Sequence, residues 1–252
     1  AYCYARPAHA FVDLSPGLDF ETKLFYKPAA AKLLDEELRK PGYVCKTIQI
    51  GGNTDPYQPI ERDLEITRSI LEVLLRFQHP VTLITKGAAL MMRDAVIFEQ
   101  FASRGLIRVA VSVTSLDDDL KRTLEPRTSS AAMRLKLIRE LARAGIPVSV
   151  MAAPIIPFVN DSDLEAILEA AASAGATSAG YVTLRLPHEV KGIFRAWLAA
   201  RMPARADHVM SLVQEMQGGR DYNPEWGTRQ RGTGHYAQLL GKRFSREEAF
   251  QF

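Results

Sequence analysis

Short β-type runs alternate with amphipathic helical segments along most of this sequence, and that alternation restricts its fold more than any other feature. Each run ends in a turn rich in Gly, Asn, Thr or Ser, and successive runs are separated by about thirty residues, the length of a βαβ unit with a right-handed crossover. The sequence therefore predicts an α/β fold in which a parallel sheet closes toward a barrel. The predicted strands span residues 47–51, 81–85, 107–113, 147–152 and 178–184, and the predicted helices span 29–39, 60–77, 90–103, 130–144 and 163–174.

The alternation stops after Leu186. Residues 187–252 instead predict two helices, at 189–200 and 204–217, followed by a basic tail rich in Gly and Arg. We therefore divide the chain into a partial (β/α) barrel of the TIM type at residues 1–186 and a C-terminal helical appendage. With 47% hydrophobic residues among 252, the chain can bury one sizeable core.

The composition limits the classes of protein to which the chain can belong. A formal net charge of +3 is too small to indicate a nucleic-acid-binding protein by itself. Two cysteines, Cys3 and Cys45, exclude a disulfide scaffold and suit a reducing compartment, and no apolar run approaches the length of a membrane span. We therefore expect a cytoplasmic protein in which Cys45 has a packing role.

Polar and small residues follow the predicted strands at their carboxyl ends, where parallel barrels bind their ligands. The pair Gly51-Gly52 permits a ligand to approach the backbone closely, although an ordinary strand-to-helix loop is an equally good interpretation. Later strands carry a serine in an otherwise Val-rich run and two alanines whose size leaves room for a flat ring. The candidate binding residues are Gly51, Gly52, Asn53, Thr54, Lys86, Ser112, Ala152 and Ala153.

Lys86 follows the second predicted strand directly and would lie inside the barrel. A buried ammonium group needs a counter-charge, which the carboxylate of a ligand could supply. A lysine whose side chain reaches solvent, or one that pairs with a neighbouring carboxylate, is the alternative. Such a lysine also allows a second class of function, a non-redox lyase or aldolase that uses Lys86 as a Schiff base or a general base.

The first residues of the chain, Ala1-Tyr2-Cys3-Tyr4-Ala5-Arg6-Pro7, contain its most unusual feature. Taken alone, a cysteine between two tyrosines is typical of a small buried hydrophobic residue. Five further motifs follow it in order: Thr54-Asp55, Thr85-Lys86, Ser112, Glu125-Pro126 and Ala153-Pro154. With them, the run around Cys3 resembles the radical S-adenosylmethionine (SAM) superfamily, in the branch of the spore photoproduct lyases and DNA-repair-photolyase-like proteins. The resemblance extends from residue 1 to about Pro157.

The resemblance implies a partial barrel of the radical SAM kind with a [4Fe-4S] cluster and SAM as cofactors, and a reductant such as a flavodoxin or a ferredoxin. Cys3 would be the last of three cysteines that ligate the cluster, and the other two would precede Ala1. Because one thiolate does not hold such a cluster, we expect this chain to be a fragment that begins inside its cluster loop, lacks the first strand and is inactive alone.

The same resemblance assigns roles to the candidate binding residues. The backbone near Tyr2 would meet the adenine of SAM, and the loop 51–54 would hold the methionine amino group. Lys86 and Ser112 would face the methionine carboxylate and the ribose, while Ala152-Ala153 would line the adenine slot. The implied reaction is the reductive cleavage of SAM to a 5′-deoxyadenosyl radical, with nucleic acid as one class of substrate.

The loop after the first strand departs from the family. Spore photoproduct lyases carry a cysteine just ahead of the Thr/Ser-Asp stretch, which returns a hydrogen atom to the product radical, and this sequence has no thiol at residues 51–55. Tyr57 could donate a hydrogen atom, although a loop tyrosine more often packs or forms hydrogen bonds. The sequence therefore predicts a protein that does not repair the spore photoproduct.

Two arginines of the tail, Arg229 and Arg231, lie among glycines and threonines. This composition allows close approach of the backbone to phosphate, so nucleic acid is a candidate partner. A loop that packs the last helix onto the barrel is an equally good interpretation. The first interpretation also leaves open a third class of function, a barrel that binds nucleic acid without catalysis.

Overall fold

Five parallel strands form the sheet of this protein, in the order in which they occur in the chain. The computed structural model describes residues 1–87 and 89–252. Each strand pairs with the next one along the sequence, and this topology confirms the predicted α/β fold with a parallel sheet. The strands are β1 (Ile48–Ile50), β2 (Val81–Thr85), β3 (Ile107–Val113), β4 (Val148–Ile155) and β5 (Ser178–Thr183).

Helices precede, connect and follow the strands. The predicted helices all have counterparts, and α7 and α8 end ahead of Gly145 and Gly175, whose φ values are 71° and 102°. In the described ranges, no helix combines the length and the apolar character that crossing a membrane requires. The helices are α1 (Leu18–Thr22), α2 (Ala30–Leu38), α3 (Glu61–Leu64), α4 (Ile66–Arg76), α5 (Ala95–Ala102), α6 (Asp118–Leu124), α7 (Ala131–Arg143), α8 (Leu164–Ser173), α9 (Val190–Arg201), α10 (Ala206–Met216) and α11 (Gly234–Gln251).

The predicted helix 60–77 is in fact two helices, because the backbone turns at Glu65, whose φ is 47°. The carboxylate of the buried Glu61 accepts hydrogen bonds from the backbone N–H groups of Ile66 (3.1 Å) and Thr67 (2.9 Å). The first N–H groups of a helix have no partner within the helix, and these bonds satisfy two of them. A new helix, α4, therefore starts after the turn.

The tail contains a helix that was not predicted from the sequence. Residues Gly234–Gln251 form α11, and its buried residues Ala237, Leu240 and Phe244 recur at helical spacing. The guanidinium of Arg243 donates two hydrogen bonds of 2.6 Å to the carboxylate of Glu165 on α8. The appendage is therefore packed against the barrel along the side of α8 and β5.

Alternate residues of the strands point to opposite faces of the sheet. Along β3, Val109, Val111 and Val113 are completely buried and belong to the main core beneath the helices. Ala110 and Ser112 therefore face the concave side, which is the inside of the partial barrel. A ligand bound within the barrel meets residues of this second set.

A second apolar cluster lies beyond the carboxyl ends of the strands. It joins Leu184 and Leu186, which follow β5, to Phe194 of α9 and Val213 of α10. Leu124 of α6 belongs to the same cluster. Residues on both sides of position 186 thus share one core, and α9 and α10 are fixed near the strand ends.

Candidate active site at the carboxyl ends of the strands

The first residues of the chain cross the carboxyl ends of the strands and bring Cys3 to that edge of the sheet. Tyr2 contacts Lys86, which follows β2. The hydroxyl of Tyr4 donates a hydrogen bond to the carbonyl oxygen of Gly52, which follows β1. Cys3 itself is a free and partly buried thiol. The loop is thus tied to two strand ends, one on each side of its cysteine.

Arg6 fixes the residues that follow this cysteine. Its buried guanidinium donates hydrogen bonds to the carbonyl oxygens of Pro16 (2.9 Å) and Gly17 (3.2 Å) and forms an ion pair with Glu21. The same group lies 4.7 Å from the centroid of the Phe20 ring. The loop therefore continues into a segment that is held against α1.

Lys86 lies among oxygen atoms that belong to four parts of the chain. Its Nζ contacts Oε2 of Glu125 at 2.8 Å and Oγ1 of Thr114 at 2.9 Å. The hydroxyl of Tyr2 and the carbonyl oxygen of Ala153, the latter at 3.3 Å, complete the set. Burial lowers the pKa of Lys86, and the charge of Glu125 opposes this effect. The structure thus shows the pairing with a neighbouring carboxylate that was the alternative interpretation of Lys86.

Glu125 joins Lys86 to a second cation, Arg134 of α7. Oε1 of Glu125 accepts a hydrogen bond from Arg134, which is 1% exposed and also donates to the carbonyl oxygens of Ser112 and Ser129, both at 2.9 Å. Burial alone would raise the pKa of Glu125, but the charges of Lys86 and Arg134 outweigh it and hold that pKa at about 2. Glu125 is therefore a carboxylate at neutral pH. In the sequence, Glu125 stands out only as part of the Glu125-Pro126 motif, and Arg134 was not predicted to belong to the site.

The loop after β1 packs on the neighbouring strand. Gly51 has a φ of 91°, and a Cβ atom there would lie 2.1 Å from the carbonyl oxygen of Ile84 in β2. The close approach that this glycine permits is therefore to β2. Gly52 offers its carbonyl oxygen to Tyr4, and the next two residues, Asn53-Thr54, are exposed. Their side chains are therefore accessible to solvent.

Asp55, which was not among the candidates, fixes this loop to the end of β2. Its carboxylate accepts hydrogen bonds from the hydroxyl of Thr85 (2.8 Å) and from the backbone N–H of Lys86 (2.6 Å). The backbone N–H of Tyr57 is a third donor, at 2.9 Å. The hydroxyl of the buried Tyr57 donates to Asp94 at 3.1 Å, which is the hydrogen-bonding role expected of a loop tyrosine.

The structure separates the two alanines that were predicted to line an adenine slot. Ala152 is 0% exposed and lies in the core between the sheet and the helices, so its side chain points away from the concave face. The carbonyl oxygen of Ala153 accepts a hydrogen bond of 2.9 Å from Thr114 beside Lys86. Ser112 is next to Lys86 across the β2–β3 pairing, because Thr85 and Val111 are partners one residue earlier. Space for a ring would lie beside Ala153.

One thiol lies at this edge of the sheet within residues 1–87 and 89–252. Cys45 precedes β1 at the opposite end of the strand and is exposed, so the predicted packing role for Cys45 is wrong. Among the residues that the structure describes, no group of three or more His, Cys, Asp or Glu side chains is arranged to hold a metal ion. Cys3 therefore fits a [4Fe-4S] cluster as one ligand, and these residues do not supply the others.

The two arginines of the tail have different surroundings. The guanidinium of Arg231 lies 3.8 Å from the centroid of the Tyr181 ring and 5.5 Å from that of Phe244, so it packs the tail against β5 and α11. Arg229 lies 4.2 Å from the ring of Trp226, which is 82% exposed. Arg231 thus follows the packing interpretation, while Arg229 and Trp226 present a cation and an aromatic ring at the surface.

Comparisons of the sequence with known proteins identify relatives. A family model described as the Radical SAM superfamily matches residues 1–171. An uncharacterized protein of Mycobacterium tuberculosis (strain ATCC 25618 / H37Rv) is 37% identical over 215 residues, which are 84% of this chain and 63% of that protein. An uncharacterized protein of Methanocaldococcus jannaschii is 30% identical over 125 residues, 50% of this chain and 46% of that protein. The chain thus spans less than two thirds of the length of these curated relatives.

Solved structures of spore photoproduct lyase mutants have a similar fold. One of them covers 100% of this chain and 70% of its own, with a TM-score of 0.61 and 16% sequence identity. Another, determined with a dinucleoside spore photoproduct, covers the same shares with a TM-score of 0.59 and 19% identity. At these identities the likeness shows the fold alone, and it agrees with a partial barrel.

Proposed function

The chain belongs to the radical SAM superfamily, and from that premise we propose that it forms the core of an enzyme that cleaves SAM reductively at a [4Fe-4S] cluster. When bound, the reduced cluster supplies the electron that breaks a carbon–sulfur bond of SAM, which leaves a 5′-deoxyadenosyl radical to take a hydrogen atom from a substrate. The observation that carries the proposal is the position of Cys3, between anchors to Lys86 and to Gly52, within the region that the family model matches.

In this proposal the residues of the chain bind and orient SAM, and Cys3 is one thiolate ligand of the cluster. Lys86 and Ser112 face the methionine carboxylate and the ribose, because they are neighbours on the concave face. The loop 51–54 holds the methionine amino group through the exposed Asn53-Thr54. The backbone near Tyr2 and the space beside Ala153 receive the adenine.

Anaerobic reconstitution of the full-length protein with iron and sulfide tests this function. We expect one [4Fe-4S] cluster per protein and the formation of 5′-deoxyadenosine from SAM in the presence of dithionite. Cys3→Ala should remove the cluster, whereas Cys45→Ala at the exposed end of β1 should retain it. A full complement of cluster in Cys3→Ala would contradict the assignment.

Lys86→Ala is expected to weaken SAM binding by roughly 1.5–3 kcal/mol, since the variant loses a charge-assisted hydrogen bond to the methionine carboxylate. Calorimetry on the reconstituted full-length protein measures the affinity, and thermal unfolding shows how much of the change is due to stability. Lys46→Ala, which removes an exposed lysine ahead of β1, is the control and should bind SAM normally. An affinity unchanged by Lys86→Ala would leave Lys86 with its structural role beside Glu125 only.

We also propose a protein reductant, such as a flavodoxin or a ferredoxin, and a nucleic acid as a possible partner at the tail. Arg229→Ala should weaken binding to single-stranded DNA and lower the slope of log affinity against log salt by about one phosphate contact. Trp226 beside it offers a ring on which a base can stack.

Arg231→Ala is the matched comparison, because its guanidinium packs on Tyr181. It should lower the melting temperature and leave the salt slope unchanged. A slope that responds equally to both variants, or to neither, would remove the distinction between the two arginines. The measurement is a fluorescence titration with labelled oligonucleotide at several salt concentrations.

We expect no repair of the spore photoproduct by this protein. The loop 51–55 has no thiol, and the hydroxyl of Tyr57 is buried and bonded to Asp94, so neither supplies the hydrogen atom that the product radical needs. Reconstituted full-length enzyme, SAM and reductant are incubated with DNA that contains the lesion, and restored thymine is measured by chromatography. Efficient repair would show that the reasoning from the missing cysteine is wrong.

A further inference from the structure

We propose that Glu125 is the positioning residue that holds the Cys3 loop and Lys86 in one arrangement. Two groups donate hydrogen bonds to one oxygen of its carboxylate, Oε2. They are Nζ of Lys86 at 2.8 Å and the hydroxyl of Tyr2. Oγ1 of Thr114 also lies 3.1 Å from Oε2, but its single proton is shared with the carbonyl oxygen of Ala153. Tyr2 is the residue before Cys3 in the chain. One carboxylate oxygen therefore contacts both the loop and the lysine, which also contact each other.

The second oxygen of the Glu125 carboxylate is held by Arg134. Oε1 of Glu125 accepts a hydrogen bond from Arg134, and Nη1 of that arginine donates to the carbonyl oxygen of Ser112 in β3 at 2.9 Å. The hydroxyl of Thr128 is a further partner of Arg134. Glu125 and Arg134 are 8% and 1% exposed, so water does not compete for these bonds. The position of Glu125 is thus set by the sheet and by α7, and the loop takes its position from Glu125.

The hydrogen-bonding capacity of Lys86 explains why the loop needs a second attachment. An ammonium group has three N–H donors, while four oxygens lie around Nζ of Lys86. A carboxylate that binds Lys86 must therefore replace one of them. Because Tyr2 also donates to Glu125, the loop stays attached when Lys86 turns to a ligand. This last step rests on the proposed function, whereas the attachment of the loop does not.

A second buried carboxylate in the chain provides a matched control. Asp94 is 0% exposed, accepts a hydrogen bond of 3.1 Å from the hydroxyl of Tyr57, and pairs with Arg68 at 2.9 Å and Arg93 at 3.1 Å. It has the same kinds of partner as Glu125, one tyrosine and two cations. None of these contacts involves the Cys3 loop. Asp94→Asn should therefore destabilise the protein by removing a buried charge, while it removes no contact to the Cys3 loop.

The reactivity of the Cys3 thiol tests the proposal without any cofactor. The parent protein for this test is the 252-residue chain with the substitution Cys45→Ser. Cys3 is then the one cysteine in that chain, so iodoacetamide modifies Cys3 alone. We expect Glu125→Gln to raise the alkylation rate about tenfold, because a charge-assisted hydrogen bond that held the loop is lost. Tyr2→Phe, which removes only the hydroxyl, should raise it to a similar extent. Asp94→Asn should leave the rate within about twofold of the parent, although it lowers the melting temperature.

Equal alkylation rates in the parent and in Tyr2→Phe would overturn the proposal, and so would an equal rise in Asp94→Asn and Glu125→Gln. If Glu125→Gln fails to fold, Tyr2→Phe is compared with Lys86→Met, which removes the contact between Lys86 and Tyr2 but keeps the bond from Tyr2 to Glu125. An alkylation rate as high in Lys86→Met as in Tyr2→Phe would then overturn the proposal. Calorimetry with SAM on the reconstituted full-length protein is a separate measurement. A parent protein that does not bind SAM would contradict the proposed function, while the alkylation rates would still decide the role of Glu125.

Discussion

Arg134→Met is expected to lower the free energy of unfolding by about 3 kcal/mol, the lower end of what the loss of one partner from a buried ion pair costs. Methionine fills much of the same volume but leaves Oε1 of Glu125 without its donor, and it removes the hydrogen bond from Arg134 to the carbonyl oxygen of Ser112. Lys86 still pairs with Glu125, which limits the loss. Urea unfolding followed by circular dichroism measures the difference.

Arg139→Met on the same helix is the control for this variant. Arg139 is exposed, so the same substitution there should change the free energy of unfolding by less than about 0.5 kcal/mol. Similar values for the two variants would mean that the buried pair contributes little and that methionine packs well in its place. In that case Lys86 alone would be enough to stabilise the buried negative charge of Glu125.

Gly51→Ala should destabilise the protein by roughly 3 kcal/mol, because it combines a strained backbone with a steric conflict. The φ of 91° is one that side-chain-bearing residues rarely adopt, and the new Cβ atom would lie 2.1 Å from the carbonyl oxygen of Ile84. Backbone atoms of β2 cannot move aside without loss of the β1–β2 pairing. The loop 51–54 would be displaced with it, so we expect SAM binding by the reconstituted full-length protein to weaken as well.

Gly192→Ala provides a comparison with the opposite sign. Gly192 lies within α9, and a Cβ atom there would meet no heavy atom of the described residues within 4 Å, apart from its chain neighbours and the backbone of its own helix. Alanine has the higher helix propensity, so the variant should be more stable by about 0.5–1 kcal/mol. Thermal unfolding measures the change in melting temperature of both glycine variants. An unchanged melting temperature in Gly51→Ala would show that the loop tolerates a side chain.

The strands could be predicted from the sequence because each is a short run of residues that favour β-structure. Runs such as 107–113 are rich in valine and isoleucine, and glycine or proline marks their limits. The alternation of residues along a strand also indicates which face each residue occupies. Val148, Val150 and Ala152 are alternate residues of one strand and share the face that the helices cover. Applied to β4, this alternation assigns Ala152 to the core and leaves Ala153 for the concave face.

The charged residues behind the site could not be assigned from the sequence, although a signal was present. Arg134 falls at helical spacing with Leu137, Ile138 and Leu141 on the buried face of α7. A charged residue on an apolar face needs a buried partner, and the sequence gives no means to choose that partner from among distant carboxylates. The partner is Glu125, nine residues earlier and in a loop. Its position depends on the course of the loop that joins α6 to α7, which only the folded structure determines.

The order of the strands also determines when the site can be completed during synthesis. Each strand pairs with the strand before it in the chain, so the sheet can grow by one βαβ unit at a time as the chain leaves the ribosome. The bond from Tyr2 to Glu125, in contrast, spans 123 residues. The Cys3 loop therefore has no attachment to Glu125 until β3 and α6 have been made. We expect this loop to become ordered after the strands that follow it, so that a cluster would be inserted into an existing scaffold and would not serve as the nucleus of folding.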